Sequence, residues 1–479
     1  MDEEGRMKHP PTAEQLEILD VLRSSKENFT INALAGTGKT STLQLIDEAL
    51  DGQIPILYLA FNKKIVKEAQ VEGAFSSACV IKTFNSIGHS IWAQSVGTVT
   101  LDKSKTNTLF KEAIKGFSKG DVSQAWGAYS TIFTTVGMAK SVGYIPEGKF
   151  PSAKRLIDQD AFLLSLDEEL TPFEIGIVDD ILIASIKAAF AGGIDFNDQI
   201  YMPALFGGPY PNFPLVLVDE AQDLNPTNHE MLKRLAKARC ISVGDPWQSI
   251  YAFRGAVRGG MGSLREAFNM RDTSLTISFR CPSEIVKSVR WHVPHLKWSK
   301  EGGRAAHIQN PTFASLPDDA AIICRNNAPL FKLGLQLLSA KRSVSIAGTE
   351  IGPKLLGIMR KLAPEATPRL QLIDLIEEWR CERLARNSST ADDTAECMLV
   401  FASYGKTLGE ALAYANHIFA QQGTIQLMTG HKAKGLEFDN VFHLDPWLIK
   451  TGDQEDNLKY VVSTRSKNML YEINSKDFK

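Results

Sequence analysis

The sequence predicts an α/β protein with two parallel-sheet domains of similar type, each interrupted by a mostly helical insertion, the second insertion reduced. Three observations predict this. Two sets of short apolar runs alternate with helix-period segments, the pattern of a parallel sheet. A glycine-rich turn, Ala33–Thr40 (ALAGTGKT), directly follows the first run. The fourth run, Leu215–Val218 (LVLV), ends in the acidic pair Asp219-Glu220, as a buried strand with a functional tip would.

The first set of strand candidates is Phe29–Ala33, Ile56–Phe61, Val80–Phe84, Leu215–Asp219, Cys240–Val243 and Leu275–Phe279. The second is Ala320–Cys324, Val344–Ala347, Ile425–Met428, Val441–Leu444 and Met469–Ile473. Between Leu101 and Leu205 helical periodicity dominates, as in Phe173–Phe190 with Ile175, Ile177, Val178, Ile181, Leu182 and Ile186 on one stripe. A shorter helical stretch, about Pro368 to Ala415, contains the polar run Ala385–Glu396, which reads as an exposed loop. The expected domains are therefore 1–100 with 206–278, its insertion 101–205, then 279–365 with 416–479, and its insertion 366–415.

At 479 residues the chain is too long for one core. With 44% hydrophobic and 23% charged residues, its composition is that of an ordinary globular protein. The net charge of −2, from 53 basic and 55 acidic residues, argues against a tail-driven nucleic-acid binder and leaves a local groove as the only route to such a partner. Six cysteines without C-x-x-C spacing fit a reducing compartment and no metal cluster. No run is long enough to span a bilayer, and Met1–Pro11 is polar, so no membrane partner is expected and the expected location is cytoplasmic.

The residue types at the two strand ends point to nucleotide chemistry. Small residues at Ala33–Gly38 let backbone N–H groups approach phosphate oxygens. Lys39 would reach the β- and γ-phosphates, and the Thr40 hydroxyl would ligate Mg²⁺. Ala33 stands where the G-x-x-x-x-G-K-[ST] pattern has its first glycine. Asp219 can hold the water shell of Mg²⁺ while Glu220 orients an attacking water, and Gln222 can both donate to and accept from a phosphate. Residues Ile241–Ala256 (ISVGDPWQSIYAFRGA) follow another strand with Asp245, Gln248 and the aromatics Trp247, Tyr251 and Phe253. Aromatic faces stack on bases, but read alone these three are better explained as core. Read alone, Gln15 is a solvent-facing glutamine on an N-terminal helix. A guanine-binding switch needs D-x-x-G and N-K-x-D. Here Gln222 follows Asp219 by three, and Asn62-Lys63-Lys64-Ile65 lacks the aspartate, so that class is set aside.

Taken together these motifs resemble the superfamily 1A DNA helicases of the UvrD/Rep/PcrA type, in order and over nearly the whole chain from Gln15 to Arg465. AFNKKI (Ala60–Ile65), TFNSIG (Thr83–Gly88) and DFNDQIYMP (Asp195–Pro203) are similar to the F-box DNA helicase branch and its phage and bacterial relatives, although only the motor is expected to be shared. The resemblance implies two RecA-like motor domains, ATP and Mg²⁺, and ATP-driven 3′→5′ movement on single-stranded DNA. It implies that Gln15 reads adenine, and that Ala35, Gly36, Thr37, Gly38, Lys39, Thr40 and Ser41 hold the phosphates. Asp219 with Thr40 would bind Mg²⁺, Glu220 would activate water, and Gln248 would sense the γ-phosphate. Phe279 would stack on adenine where the family usually has Tyr; Arg280 would contact the γ-phosphate, Arg465 would be the second arginine finger, Glu437 would contact the ribose, and Gly435 would belong to the ATP site. Phe61, Asn62, Thr83, Asn85, Tyr251, Phe253, Arg254, Thr429 and His431 fall where the family contacts DNA.

Departures are visible. Asn85 replaces the usual His, Phe253 often-seen Trp, and Asn457 and Lys459 stand where relatives carry other residues. The reduced second insertion motivates an alternative, a translocase that displaces proteins with little unwinding. The implied partners are single-stranded DNA, strand–duplex junctions, and recombinase or replication proteins, with the chain acting as a monomer. The pathways open to it are DNA repair, recombination control and phage replication, in the cytoplasm of a bacterial or phage-infected cell, or in a nucleus if the source is eukaryotic.

Overall fold

The computed structural model describes residues 10–60, 63–71, 75–166, 169–251, 260–347, 351–385, 388 and 390–478. They divide into two units: residues up to Ala33 with Gly38–Leu275, and Leu34–Thr37 with the chain from Thr276 onward.

The first unit is built on six parallel strands in the order Cys79–Thr83, Ile56–Ala60, Leu215–Val218, Cys240–Gly244, Phe29–Ala33, Arg271–Leu275. Both faces of the central strands are covered, which is why Ile56–Ala60 and Leu215–Val218 read as continuous apolar runs rather than alternating ones. Leu57, Leu59, Val216 and Val218 pack into one core, and Ile56, Tyr58, Leu215 and Leu217 into the core on the opposite face. The parallel register brings the C-terminal ends of Phe29–Ala33, Cys240–Gly244 and Leu215–Val218 to one edge, where open α/β sheets bind ligands.

The insertion carries its own core of Phe110, Ile132, Val136, Tyr144, Phe162, Ile177, Val178, Ile181 and Leu182. Its longest helix, Pro172–Phe190, opens on a Thr171/Glu174 capping box with proline in the first turn, which satisfies donors that the helix start leaves open. Short strands Thr100–Leu101 and Gly193–Ile194 pair where the chain leaves and rejoins the sheet. Beneath them lies a buried charge cluster. Lys105 donates to Asp198 at 2.6 Å, and Lys140 to Asp195 and Asp198 at 2.6 and 2.7 Å.

The second unit has six parallel strands in the order Arg304–His307, Ser466–Ile473, Phe438–Leu444, Ala321–Cys324, Ile425–Thr429, Val344–Ile346. The edge strand Arg304–His307 (RAAH) has no apolar run to announce it. The two sheets and their covering helices make this a protein of two RecA-like domains.

Two expectations are corrected. Leu275–Phe279 is not one strand: Arg271–Leu275 completes the first sheet, and Ile277–Ser278 pairs with Lys297–Trp298 in the second unit. The polar run Ala385–Glu396 is not a loop throughout, because helix Ala391–Tyr404 begins inside it. Ala391, Ala395 and Met398 are buried along one stripe, while Asp392 and Asp393 suit the positive helix start. Asp393 also accepts the Asn327 and Ala328 N–H groups at 2.9 and 3.2 Å, capping helix Asn327–Ser339. Leu372, Ile376, Met398 and Phe401 of this insertion share one core with sheet residues Ile322, Leu427 and Leu444.

Candidate functional site

The glycine-rich turn bends between strand Phe29–Ala33 and helix Lys39–Leu50 through two left-handed glycines, Gly36 and Gly38, at φ 71° and 84°. Gln15 is buried, not solvent-facing, because both ends of its amide are used. Its Oε1 accepts the Thr12 N–H at 3.0 Å, and its Nε2 donates to Thr42 Oγ1 at 3.0 Å. Thr42 in turn donates to the Gly38 carbonyl at 2.9 Å, so Gln15 braces the first turn of the helix that carries Lys39. Thr40 is exposed and Ser41 half-buried at that helix start.

The acidic strand end sits in the same unit. Lys39 Nζ donates to both carboxylate oxygens of Glu220, at 3.1 and 2.9 Å. Burial pulls the Lys39 pKa down, but Glu220, Asp245 and Asp219 outweigh it and hold it above its ordinary value. Asp219 is pushed up to about 6, by burial first and the Glu220 charge next, against the opposing pull of Lys39, Tyr58 and the Glu220 amide. Asp245 is raised as well, chiefly by burial. Glu220 itself adopts a left-handed backbone, φ 50° and ψ 44°, a strained conformation of the kind that clusters at functional sites.

Hydrogen bonds continue from this pair across two strand ends. Gln222 Nε2 donates to Glu220 at 2.6 Å, and its Oε1 accepts the Asp245 N–H at 3.0 Å. Gln248 Nε2 donates to Asp245 Oδ2 at 2.7 Å. A Cβ on Gly244 would lie 2.4 Å from Gln222 Oε1, so a glycine is what lets this glutamine lie against the strand.

Three carboxylates thus surround one ammonium, an excess of negative charge that suits a divalent cation. Among the described residues no three His, Cys, Asp or Glu side chains form a metal cage. A Mg²⁺ ion here would take Asp219 and Thr40 and complete its shell with water and phosphate oxygens, as this ion usually does.

In the second unit, Arg280 Nε donates to Glu437 at 2.8 Å. Glu437, which the resemblance puts at the ribose, is here the partner of that arginine; Gly435 lies two residues before it at φ 80°. Arg465 is buried, with Nε on the Val461 carbonyl at 2.9 Å, Nη1 on Leu436 at 3.2 Å and Nη2 on Thr464 Oγ1 at 3.3 Å. Residues 34–37 belong to this unit. Ala35 N–H donates to Tyr460 Oη at 3.0 Å, Ser278 Oγ to the Ala35 carbonyl at 2.8 Å, and Phe279 N–H to the Gly36 carbonyl at 2.8 Å. Thr37 closes the turn on Leu34 at 2.9 Å, and the Phe279 ring is about half exposed.

Of the expected DNA contacts, Phe61, Asn62, Phe253 and Arg254 lie outside the described residues. Thr83 caps helix Phe84–Val96 by accepting the Ser86 N–H at 3.1 Å. Asn85 Nδ2 donates to the Phe196 carbonyl at 2.9 Å, and the Phe196 side chain is exposed. Trp247 and Tyr251 are half-buried rather than core. Thr429 precedes the short helix Gly430–Ala433, which carries a half-buried His431.

Sequence reasoning did not single out Tyr58, whose hydroxyl donates to Asp219 Oδ2 at 2.8 Å from within strand Ile56–Ala60. The available signal was a phenol in a wholly apolar strand, since a buried tyrosine hydroxyl needs a partner.

Residues 193–269 match the UvrD/REP helicase N-terminal domain and residues 370–477 the UvrD-like helicase C-terminal domain. F-box DNA helicase protein 1 of Schizosaccharomyces pombe is 24% identical over 96% of this chain and 57% of its own length. F-box DNA helicase 1 of Gallus gallus is 25% identical over 96% of this chain and 48% of its own. An ATP-dependent DNA helicase PcrA of Staphylococcus epidermidis is 25% identical over 59% of this chain and 40% of its own. The chain spans about half the length of these curated relatives.

Proposed function

Because the chain belongs to superfamily 1A, the UvrD/Rep/PcrA-like proteins, we propose that it is an ATP-dependent DNA helicase that moves 3′→5′ along single-stranded DNA. The observation that carries this reading is the run of hydrogen bonds from Lys39 through Glu220, Gln222 and Asp245 to Gln248. It joins the group that would hold the phosphates to the segment that would hold the strand. Lys39, Thr40 and the turn amides would bind ATP with Mg²⁺ on Asp219. Mg²⁺ would neutralise developing charge on the phosphates. Glu220 would orient the attacking water once its ion pair with Lys39 is exchanged for one between Lys39 and phosphate.

Arg280 and Arg465 would stabilise the transferring phosphoryl group, an effect worth about 10³-fold or more in rate. Tyr251, Phe253, Phe61 and Asn85 would hold bases and phosphates of the strand, with sequence-tolerant stacking of about 1–3 kcal/mol per base. The strand could be engaged by a monomer, and recombinase or replication proteins are the partners proposed.

A second reading, displacement of proteins with little unwinding, is favoured by one observation. The second insertion shares the core of its sheet through Leu372, Ile376, Met398 and Phe401, so it offers no separately packed body to grip a duplex. The test is a duplex with either a 3′ or a 5′ single-stranded tail, with ATP. Unwinding from the 3′ tail is expected. Unwinding from the 5′ tail alone overturns the direction, and ATP-driven protein displacement without unwinding selects the second reading.

A further inference from the structure

We propose that Tyr460 is a positioning residue for ATP hydrolysis, tying the crown of the phosphate loop to Arg465. The proposal rests on the nucleotide-site reading above and adds a residue to it. Residues 34–37 lie outside any helix or strand, so their placement depends on side chains and neighbouring strands. Three bonds hold them: Tyr460 Oη accepts the Ala35 N–H, Ser278 Oγ donates to the Ala35 carbonyl, and Phe279 N–H donates to the Gly36 carbonyl. The last two come from the strand end that leads into Arg280. A Cβ on Gly36 would meet Arg280 Cβ at 2.5 Å, so the crown lies directly against that arginine's backbone. The first bond comes from the helix that leads into Arg465.

Tyr460 lies in helix Asp453–Ser463 and is wholly buried, with its ring edge-on to His292. The turn that follows folds back onto it. Thr464 donates to the Tyr460 carbonyl through both its N–H, at 3.0 Å, and its Oγ1, at 2.8 Å. Arg465 binds the same turn through the Val461 carbonyl and Thr464 Oγ1. The phenol that holds the crown and the guanidinium that would meet the phosphate are thus fixed to one helical turn. A shift of Ala35 is transmitted to Arg465 as a rigid movement of that turn, and Tyr460 sets the two in register.

The experiment is single-turnover ATP hydrolysis by the full chain with single-stranded DNA, for wild type, Tyr460→Phe, Arg465→Ala and the double variant. Phenylalanine keeps the ring and deletes the hydroxyl that accepts the Ala35 N–H, so Tyr460→Phe should lose about fivefold in hydrolysis rate. Affinity for ADP should stay within about twofold. In the Arg465→Ala background the same change should cost less than about twofold, because groups acting as a unit are not additive. An equal loss in both backgrounds, no loss in the wild-type background, or a loss of ADP affinity that accounts for the rate each overturns the tether. If Tyr460→Phe melts below the assay temperature, Thr464→Val, which cuts the Oγ1 bonds to Tyr460 and Arg465, must show the same coupling to Arg465, and additivity there overturns it. If Arg465→Ala and Lys39→Ala both keep wild-type hydrolysis, the nucleotide-site reading has failed and the tether falls with it.

Discussion

Replacing Tyr58 with phenylalanine removes a single atom from a buried site. The ring keeps its place in strand Ile56–Ala60, and only the hydroxyl that donates to Asp219 at 2.8 Å is lost. Asp219 already sits at about 6, raised by burial and by Glu220 and drawn down by Lys39, Tyr58 and the Glu220 amide. A hydrogen bond to a charged group contributes about 1.5–3 kcal/mol, and about 1.4 kcal/mol corresponds to one pH unit. Losing this donor should therefore carry Asp219 up to about 7–8. If Asp219 holds Mg²⁺, as proposed, it must be ionised to do so, and the acid limb of kcat/KM for ATP reports it. With saturating DNA, the wild-type limb should fall near pH 6, where Asp219 titrates. In Tyr58→Phe it should move up by about one to two pH units, with activity restored to within about twofold well above it. The stability profile must agree in sign. Asp219 has its folded pKa above its ordinary 3.8, so the folded state binds the extra proton in that window. The group's contribution is present below about 4 and is lost as pH rises through about 6. Tyr58→Phe should extend that loss to higher pH. A limb that stays in place or moves down, or a uniform loss at every pH, refutes the assignment of Asp219 and its partner.

Two further perturbations test neighbouring parts of the first unit. Gly244→Ala places a Cβ 2.4 Å from Gln222 Oε1 and 2.8 Å from Met261 Sδ, so it should displace Gln222 and lower DNA-stimulated turnover by about tenfold. Wild-type stimulation in that variant would show that Gln222 does not link Glu220 to Asp245. Lys140→Met leaves Asp195 and Asp198, among the described residues, with Lys105 as the cation of a buried cluster, and breaking such a pair costs about 3–5 kcal/mol. Denaturant unfolding that shows less than about 1 kcal/mol would mean the cluster is already hydrated.

How much of this could be read from the sequence depends on how far apart the interacting groups lie. Strands Phe29–Ala33 and Leu215–Val218 were legible because both faces are buried and each ends in charged or small residues that an ordinary core strand would not carry. Arg304–His307 was not, because an edge strand needs no apolar run, and the start of Ala391–Tyr404 reads as a loop because its first turn is polar for capping reasons. Gln15 read alone as a surface glutamine. Its local bond to Thr12 could be inferred from the capping-box spacing, but the bond to Thr42, 27 residues away, could not.

The same division explains Tyr58 and Tyr460. Tyr58 stands in an apolar strand and Tyr460 at the buried end of an otherwise charged helix, where a ring is sufficient reason for its presence, and each uses its hydroxyl on a partner far along the chain: Asp219 at 161 residues and Ala35 at 425. The groups expected to touch phosphate and metal announce themselves by local spacing, because backbone amides, a lysine and a carboxylate must converge within one turn. The groups that set their protonation and placement are free to come from any element packed nearby. They follow from one rule of burial, that a tyrosine hydroxyl taken out of water must find a partner, and only the packed fold says which partner it finds.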